Sequence, residues 1–441
     1  MSTSDPLPLR VIRGEILHFL SDPAEHGTAA WQHFGDGILA IRDGLVAEVG
    51  PADDMLAKLP SDITHDDYRG KLILPGFVDT HTHYAQTDII ASHGEQLLAW
   101  LEKYTFPAEA RFADAAHAAT VANFFCDELL RNGTTTAMAF ATVHAHSVDA
   151  LFAAALQRRM RLITGKVLMD RNCPDNLRDT AASGEAESRA LIERWHGRER
   201  LLYAVTPRFA GTSTPAQMAG AGRLFAEHPS LYLQSHVAEN RAEVDWIAKL
   251  YPEARSYLDV YGRFGQLGER SVYAHCIWLD QTDRARMAAT GSAMSFCPTS
   301  NLFLGSGLFN LDCARQVGVR VGMGTDVGAG TSFSMLQTLN EAYKVLQLND
   351  QRLSAESAFY LATLGGARSL YLDDRIGNFL PGKEADLVVL DPQATPLLAR
   401  RSAACSSLSE RLFVLMMLGD DRAVAATHVL GTAAWRRPCS R

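Results

Sequence analysis

The sequence predicts an α/β fold in which a (β/α)8 TIM barrel is joined to a small β-sandwich domain formed from both chain ends. Three observations predict it. Between residues 75 and 376, apolar runs that end in polar residues alternate with helical patterns, the signature of βαβ units. Eight such runs can be counted, the number that closes a parallel barrel. The flanks, 1–74 and 377–441, instead carry short β-like pieces separated by turns. The composition suits this size: 47% of the 441 residues are hydrophobic and 21% are charged, which supplies a large core. Length alone would suggest about three domains, but α/β barrels exceed about 200 residues as one unit. One large and one small domain are therefore expected.

Taken in order, the N-terminal flank contributes RVIRGEILHFL, GILAIRDGLVAEVG and KLILPG within 8–74. The expected barrel strands are GFVDTHTH (76–83), TTTAMAF (134–140), RLITGKVLM (161–169) and LLYAVTPRF (201–209). They continue with LYLQSHVAE (231–239), SVYAHCIWL (271–279), SAMSFCPTS (292–300) and RVGMGTD (320–326). Helical patterns lie between them, as at 114–131, 214–227, 240–250 and 281–289. Residues 84–112 form a long insertion after the first strand, placed where a loop can cover a site and exclude water. Stretches 378–391 and 423–437 are again β-like. Chain termini often lie close together, so both flanks are read as one supporting β domain.

Charge and punctuation exclude several classes. The formal net charge is −8 with no basic tract, which argues against nucleic acid as a partner. A small heterocycle needs no positive field. The first twenty residues have no long apolar core behind a basic start, so neither a secretory signal nor a membrane span is expected. Seven scattered cysteines (Cys126, Cys173, Cys276, Cys297, Cys313, Cys405, Cys439) make no C-x-x-C pair. They read as reduced thiols of a cytoplasmic protein.

The chemistry is concentrated at strand ends. His81 and His83 end the first strand two residues apart, so both imidazoles point the same way and can face one metal. Alone this pattern is weak. His236 near the end of the fifth strand, His275 on the sixth and Asp326 at the end of the eighth change its weight, because the C-terminal strand ends of a barrel converge on one rim. A buried, satisfied histidine explains one of these residues, not four. Glu239, three residues after His236, is not needed as a ligand and is free for proton transfer. A carboxylate at a helix N-terminus is the structural alternative. Among rival signatures, H-E-x-x-H, G-x-S-x-G, a P-loop and the H-x-E with P-C-x-x-C pattern are all missing. Gly322 and Gly324 do not complete a dinucleotide motif and read as room for close packing beside the metal.

In PGFVDTHTH, QSHVAE, the histidine of YAHC and GTD, in this order, the chain resembles the amidohydrolase superfamily. Within it, HYAQ (83–86), WLEKYTFPAEARF (100–112), VTPRF (205–209), SHVAENRAEV (235–244), CPTSNLFLGSG (297–307), GMGTDVGAGTSFSML (322–336) and LGDDR (418–422) resemble the guanine deaminases. The resemblance runs nearly the whole chain; only 393–412 is less familiar. It implies guanine as substrate, a homodimer, and one zinc ion (Zn2+) per chain held by His81, His83, His236 and Asp326. It also implies that His275 touches substrate or the activated water, that Glu239 is the general acid/base, and that Gln86, Arg208 and Phe209 bind guanine. Binuclear relatives carry a bridging lysine at the end of the fourth strand, where this chain has Pro207-Arg208-Phe209. Lys166, on the third strand, is expected to be structural.

The implied roles are chemically coherent. Asp326 can take the proton of the attacking water, and His275 can orient the resulting hydroxide toward C2. Attack pushes electrons onto N3, which Glu239 can protonate. Arg208 can donate to O6, and the Gln86 amide can donate or accept. Phe209, and with less warrant Trp100, offers a flat apolar face to a purine; Trp100 could equally belong to the core. Two alternatives stay open at this point: an aminohydrolase of another heterocycle, which would carry other partners at Gln86 and Arg208, and a non-catalytic scaffold, which should have lost ligands.

Overall fold

The computed structural model describes residues 9–59, 63 and 65–438; the outermost parts of the flanks, including Cys439, lie outside the described residues. The N-terminal flank forms β1 (Arg10–Phe19), β2 (Trp31–Arg42), β3 (Leu45–Pro51) and β4 (His65–Pro75). Nine parallel strand segments follow: β5 (Phe77–His83), β6 (Thr134–Phe140), β7 (Arg161–Gly165), β8 (Val167–Leu168), β9 (Leu201–Pro207), β10 (Tyr232–Val237), β11 (Ser271–His275), β12 (Ala293–Phe296) and β13 (Val321–Met323). The C-terminal flank adds β14 (Leu387–Leu390), β15 (Val424–Val429) and β16 (Thr432–Arg436).

The two ends of the chain share one seven-stranded sheet in the order β16-β15-β14-β4-β1-β2-β3. Period-2 alternation decides what each face covers. Leu387 and Val389 join Ile12, Ile16, Leu39 and Ile73 in a separate cluster, while Val388 and Leu390 face the main core.

The middle of the chain forms the parallel path β13-β12-β11-β10-β9-β7-β6-β5, with β8 beside β9. Its two edges meet at the rim. Asp326 N–H donates to the His81 carbonyl at 2.9 Å, and His83 N–H donates to the Val327 carbonyl at 3.1 Å, so the barrel is nearly closed. Val78, Met138, Ile163, Ala204, Tyr232, Val272 and Ala293, one from each of seven strands, form one apolar cluster toward the N-terminal ends. That layer leaves the opposite rim for polar groups.

The expected helices begin at side-chain caps. Asp114 caps Ala115–Arg131, Thr214 caps Pro215–Glu227, and Asp280 caps Gln281–Thr290. Asn240 and Glu243 make a reciprocal capping box on Arg241–Leu250, satisfying backbone donors that the helix leaves orphaned.

Several expected strands prove too long, in the barrel mainly at the C-terminal end. The stretch expected at 161–169 is broken at Lys166, whose backbone N–H donates to the Tyr203 hydroxyl at 3.2 Å and not to a ladder. The strand expected at 231–239 stops at Val237, that at 271–279 at His275, that at 292–300 at Phe296, and that at 320–326 at Met323. After Phe296 the chain turns into a helix, Pro298–Phe303, with proline in its first turn. The insertion 84–112 is mostly helical, with Leu97–Trp100, Leu101–Thr105 and Phe106–Ala110 running on from one another. Of 378–391 only Leu387–Leu390 is strand. The unfamiliar stretch around 393–412 contributes helices Pro396–Ala403 and Leu408–Leu418.

Candidate active site

The rim gathers polar side chains from two sources: His81, His83 and His236 stand on the last residues of β5 and β10, and others follow where the chain leaves the ladder. Ala238, His275, Cys276 and Asp326 all have positive φ, at 50°, 71°, 55° and 50°. That region is costly for residues other than glycine and persists where surrounding contacts impose it. At the rim it aims side chains that an unbroken strand would send elsewhere.

Four side chains at the rim converge. Nε2 of His81 and Nε2 of His83 each lie 3.2 Å from Oδ1 of Asp326. Nε2 of His236 lies 3.2 Å from Nε2 of His83. A tetrahedral ion with nitrogen and oxygen ligands at about 2.0–2.1 Å has ligand–ligand edges of about 3.3 Å, so the spacing fits a small divalent cation. Two further observations agree. The buried Nε2 of His81 makes no well-aligned hydrogen bond, even to the nearby Asp326, and burial holds His83 down to about 3 and His236 well below its ordinary range. Neutral imidazoles are the form that binds metal. His236 Nδ1–H donates to the Arg208 carbonyl at 2.7 Å, leaving the Nε2 lone pair free. Burial disfavours the Asp326 carboxylate, but His81, His83 and His275 outweigh it and hold its pKa well below the usual carboxylate range. The residues therefore form a candidate metal site of three histidines and one carboxylate, with His275 alongside.

Gly324 makes room for it. A Cβ there would stand 2.6 Å from Ser295 Oγ, 2.8 Å from Cys297 Sγ and 3.0 Å from His81 Cβ. Asp79 ties the ligand-bearing strands together: its Oδ1 accepts from the backbone N–H of His81 at 3.2 Å and of Thr325 at 3.1 Å.

His275 and Glu239 form a second pair beside the first. Nε2 of His275 is 3.3 Å from Oε2 of Glu239 and 3.9 Å from Oδ2 of Asp326. Its Nδ1 lies 2.8 Å from Oδ1 of Asn301. Ser306 Oγ donates to Oε1 of Glu239 at 3.0 Å. Burial, reinforced by the charge of Asp326, raises the Glu239 carboxyl to about 8, against the opposing hydrogen bond from Ser306. Helix capping does not occupy this carboxylate, because Asn240 is the cap residue.

Above these groups lies a cavity whose walls include His83, Gln86, Trp100, Arg208, Phe209, His236, Glu239, His275 and Asp326. Of the catalytic, substrate-binding and metal-binding residues expected from the sequence, His81 alone does not reach its wall. Phe209 packs against Trp246. Trp100 both faces the cavity and packs on Tyr104 and Phe303. Arg208 is paired with Glu109, whose two oxygens lie 2.9 and 2.7 Å from Nη1; the rim ion pair and the position on the cavity wall are not exclusive. Lys166 lies away from the histidines, its Nζ 2.5 Å from Asp179.

Sequence reasoning passed over Glu109, Asn301, Ser306 and Asp79. All four lie inside quoted motifs or at a strand's heart. Glu109 carried one signal: a single acid among apolar neighbours in FPAEA.

Comparison with known proteins gives concordant results. Residues 72–433 match the model of the Amidohydrolase family. The chain is 54% identical to a guanine deaminase of Escherichia coli over 97% of this chain and 98% of that one. It superposes on a guanine deaminase from Bradyrhizobium japonicum with a TM-score of 0.95 at 37% identity, covering 98% and 100% of the two chains. It superposes on a guanine deaminase from C. acetobutylicum with guanine bound in its active site with a TM-score of 0.87 at 28% identity, covering 97% and 100%.

Proposed function

The chain belongs to the amidohydrolase family and, within it, to the guanine deaminases; it hydrolyses guanine to xanthine and ammonia, and we propose the following assignment of that reaction to its residues. The observation that carries the assignment is the spacing of His81, His83, His236 and Asp326 at the floor of a cavity that also holds a protonatable Glu239. In this reading one zinc ion per chain sits among those four ligands and, when bound, lowers the pKa of a water from about 15.7 toward about 7.

The protein's own groups do the rest. Asp326 accepts the proton of the attacking water. His275 orients the nucleophilic oxygen toward C2 of guanine. Attack moves an electron pair onto N3, and Glu239 protonates that nitrogen. A carboxyl raised to about 8 still carries its proton at neutral pH, as this role requires. Asp326 passes the proton it took from water to the exocyclic amine, ammonia leaves with the C2–N bond pair, and the C2–O–H gives its proton back to Glu239 as the new carbonyl of xanthine forms. Arg208 donates to O6, Gln86 binds the adjacent edge, and Phe209 and Trp100 flank the ring.

The same reading places the enzyme in purine catabolism, in the cytoplasm, as a homodimer. Support for the cytoplasm comes from free cysteines at all six described positions; the homodimer rests on family likeness. Among the described residues no helix is long and apolar enough to cross a membrane.

Substrate choice tests the assignment. Adenine presents an amine where guanine presents O6, which leaves Arg208 facing a donor, and sites built to hydrogen-bond a substrate reject such mismatches by about 10⁴–10⁵. Steady-state assays with guanine, adenine and cytosine should give xanthine and ammonia from guanine alone. Adenine turnover matching that of guanine would refute the role given to Arg208.

A further inference from the structure

We propose that Glu109 is a specificity-determining positioning residue: one buried carboxylate fixes both Arg208 and Gln86, so that together they present one acceptor beside one set of donors to the substrate. The proposal rests on the reading that Gln86 and Arg208 bind guanine.

Glu109 stands on the helical turn Phe106–Ala110, in the insertion that follows β5, and is fully buried. Arg208 and Gln86 are 2% and 4% exposed. Both Glu109 oxygens engage Nη1 of Arg208, while Oε1 also accepts from Nε2 of Gln86 at 3.4 Å. The contact to Gln86 is long, but its polarity is not free. Turning the amide over would set its oxygen against a carboxylate oxygen in a site of low dielectric, where like partial charges repel strongly. The amide nitrogen is therefore spent on Glu109, and Oε1 is the end left for a ligand. A guanidinium has donors only.

A neighbouring acceptor and donor set is the complement of the guanine edge, where the N1–H donor adjoins the O6 acceptor. A purine whose N1 is a lone pair meets the Gln86 oxygen with the wrong polarity. Glu109 touches no reacting atom in this arrangement. It sets which tautomeric edge the cavity accepts.

2-Aminopurine is the discriminating probe. It keeps the 2-amino leaving group but has an N1 lone pair and only hydrogen at C6. The measurement is kcat/KM for guanine and for 2-aminopurine in wild type, Glu109→Gln, Glu109→Asp and Gln86→Leu. With Glu109→Gln a neutral amide no longer dictates how Gln86 turns. The preference for guanine should fall about 10–100-fold, chiefly through a higher KM for guanine, as loss of uniform binding requires. Glu109→Asp keeps the negative charge but draws the carboxylate back from both partners, and the longer contact, to Gln86, is the first to be lost. It should lower the preference in the same direction by a smaller factor, and it decides the matter if Glu109→Gln does not fold. An unchanged preference in the folded variants, or an equal loss on both substrates, overturns the proposal and leaves Glu109 a structural partner. Gln86→Leu separates the two layers. If it leaves the preference intact, Gln86 does not read the substrate and the underlying assignment fails. If it lowers the preference while the Glu109 variants do not, only the role of Glu109 fails.

Discussion

Glu239 shows how much a single position is governed by its surroundings. Its carboxyl is 3% exposed, faces the charge of Asp326, and receives one hydrogen bond from Ser306. Burial and the neighbouring charge both disfavour the charged form, which suits the group to the acid role proposed for it. Glu239→Gln removes the titratable proton and keeps the shape. We expect the variant to retain its metal content and lose about 10²–10⁴-fold in kcat, the usual worth of positioned proton transfer; near-normal turnover would remove Glu239 from the mechanism. At this scale the sequence was legible where a residue type is rare and its position telling, as for His81, His83, His236 and Asp326. It was silent on Glu109 and Asn301. A buried acid or amide is intelligible only with its partner, and Arg208 is 99 residues from Glu109 in the chain.

Strand identity was readable from apolar runs, and strand ends were not. Periodicity reports which residues are buried, whereas the last rung of a ladder is decided by tertiary contacts. At the rim those contacts pull Ala238, His275 and Asp326 into left-handed conformations. The break at Lys166 has a similar origin. Its neighbour Gly165 packs so closely that a Cβ would fall 1.8 Å from the Ala204 carbonyl oxygen, and Lys166 itself is drawn to Asp179. The helices were easier, because their caps are local. The element-scale prediction concerns β13 and the turn after it. Gly324→Ala would press a methyl group on Ser295, Cys297 and His81, and overpacking of this kind costs about 1–3 kcal/mol. The protein should still fold, with a lower melting temperature, and bind metal more weakly. Metal content by elemental analysis and melting by calorimetry check both parts. Unchanged metal affinity would show that β5 does not depend on this close approach.

Across the whole molecule, we propose that residues 1–74 with 377–441 act as one supporting unit and 75–376 as the catalytic one. A buried charge network joins them: Arg200 reaches Glu384 at 2.6 Å and also pairs with Asp386, and Arg161 pairs with Glu384. Arg200→Met would leave the buried Asp386 and the partly buried Glu384 short of a partner. It should cost about 3–5 kcal/mol of stability, seen as a lower denaturation midpoint, while turnover per folded molecule stays near normal. A midpoint unchanged from wild type would contradict the network's role. The fold class was legible at this scale because alternation of strand and helix is a property of long stretches. The sharing of one sheet by both ends was an inference from composition that only topology could test. The account as a whole depends on metal at the rim, and metal content measured alongside guanine turnover in the same preparation tests it most directly. The expected result is about one zinc per chain, loss of xanthine and ammonia formation after treatment with a chelator, and recovery on adding zinc back. Full turnover by protein shown to be free of divalent metal would contradict it.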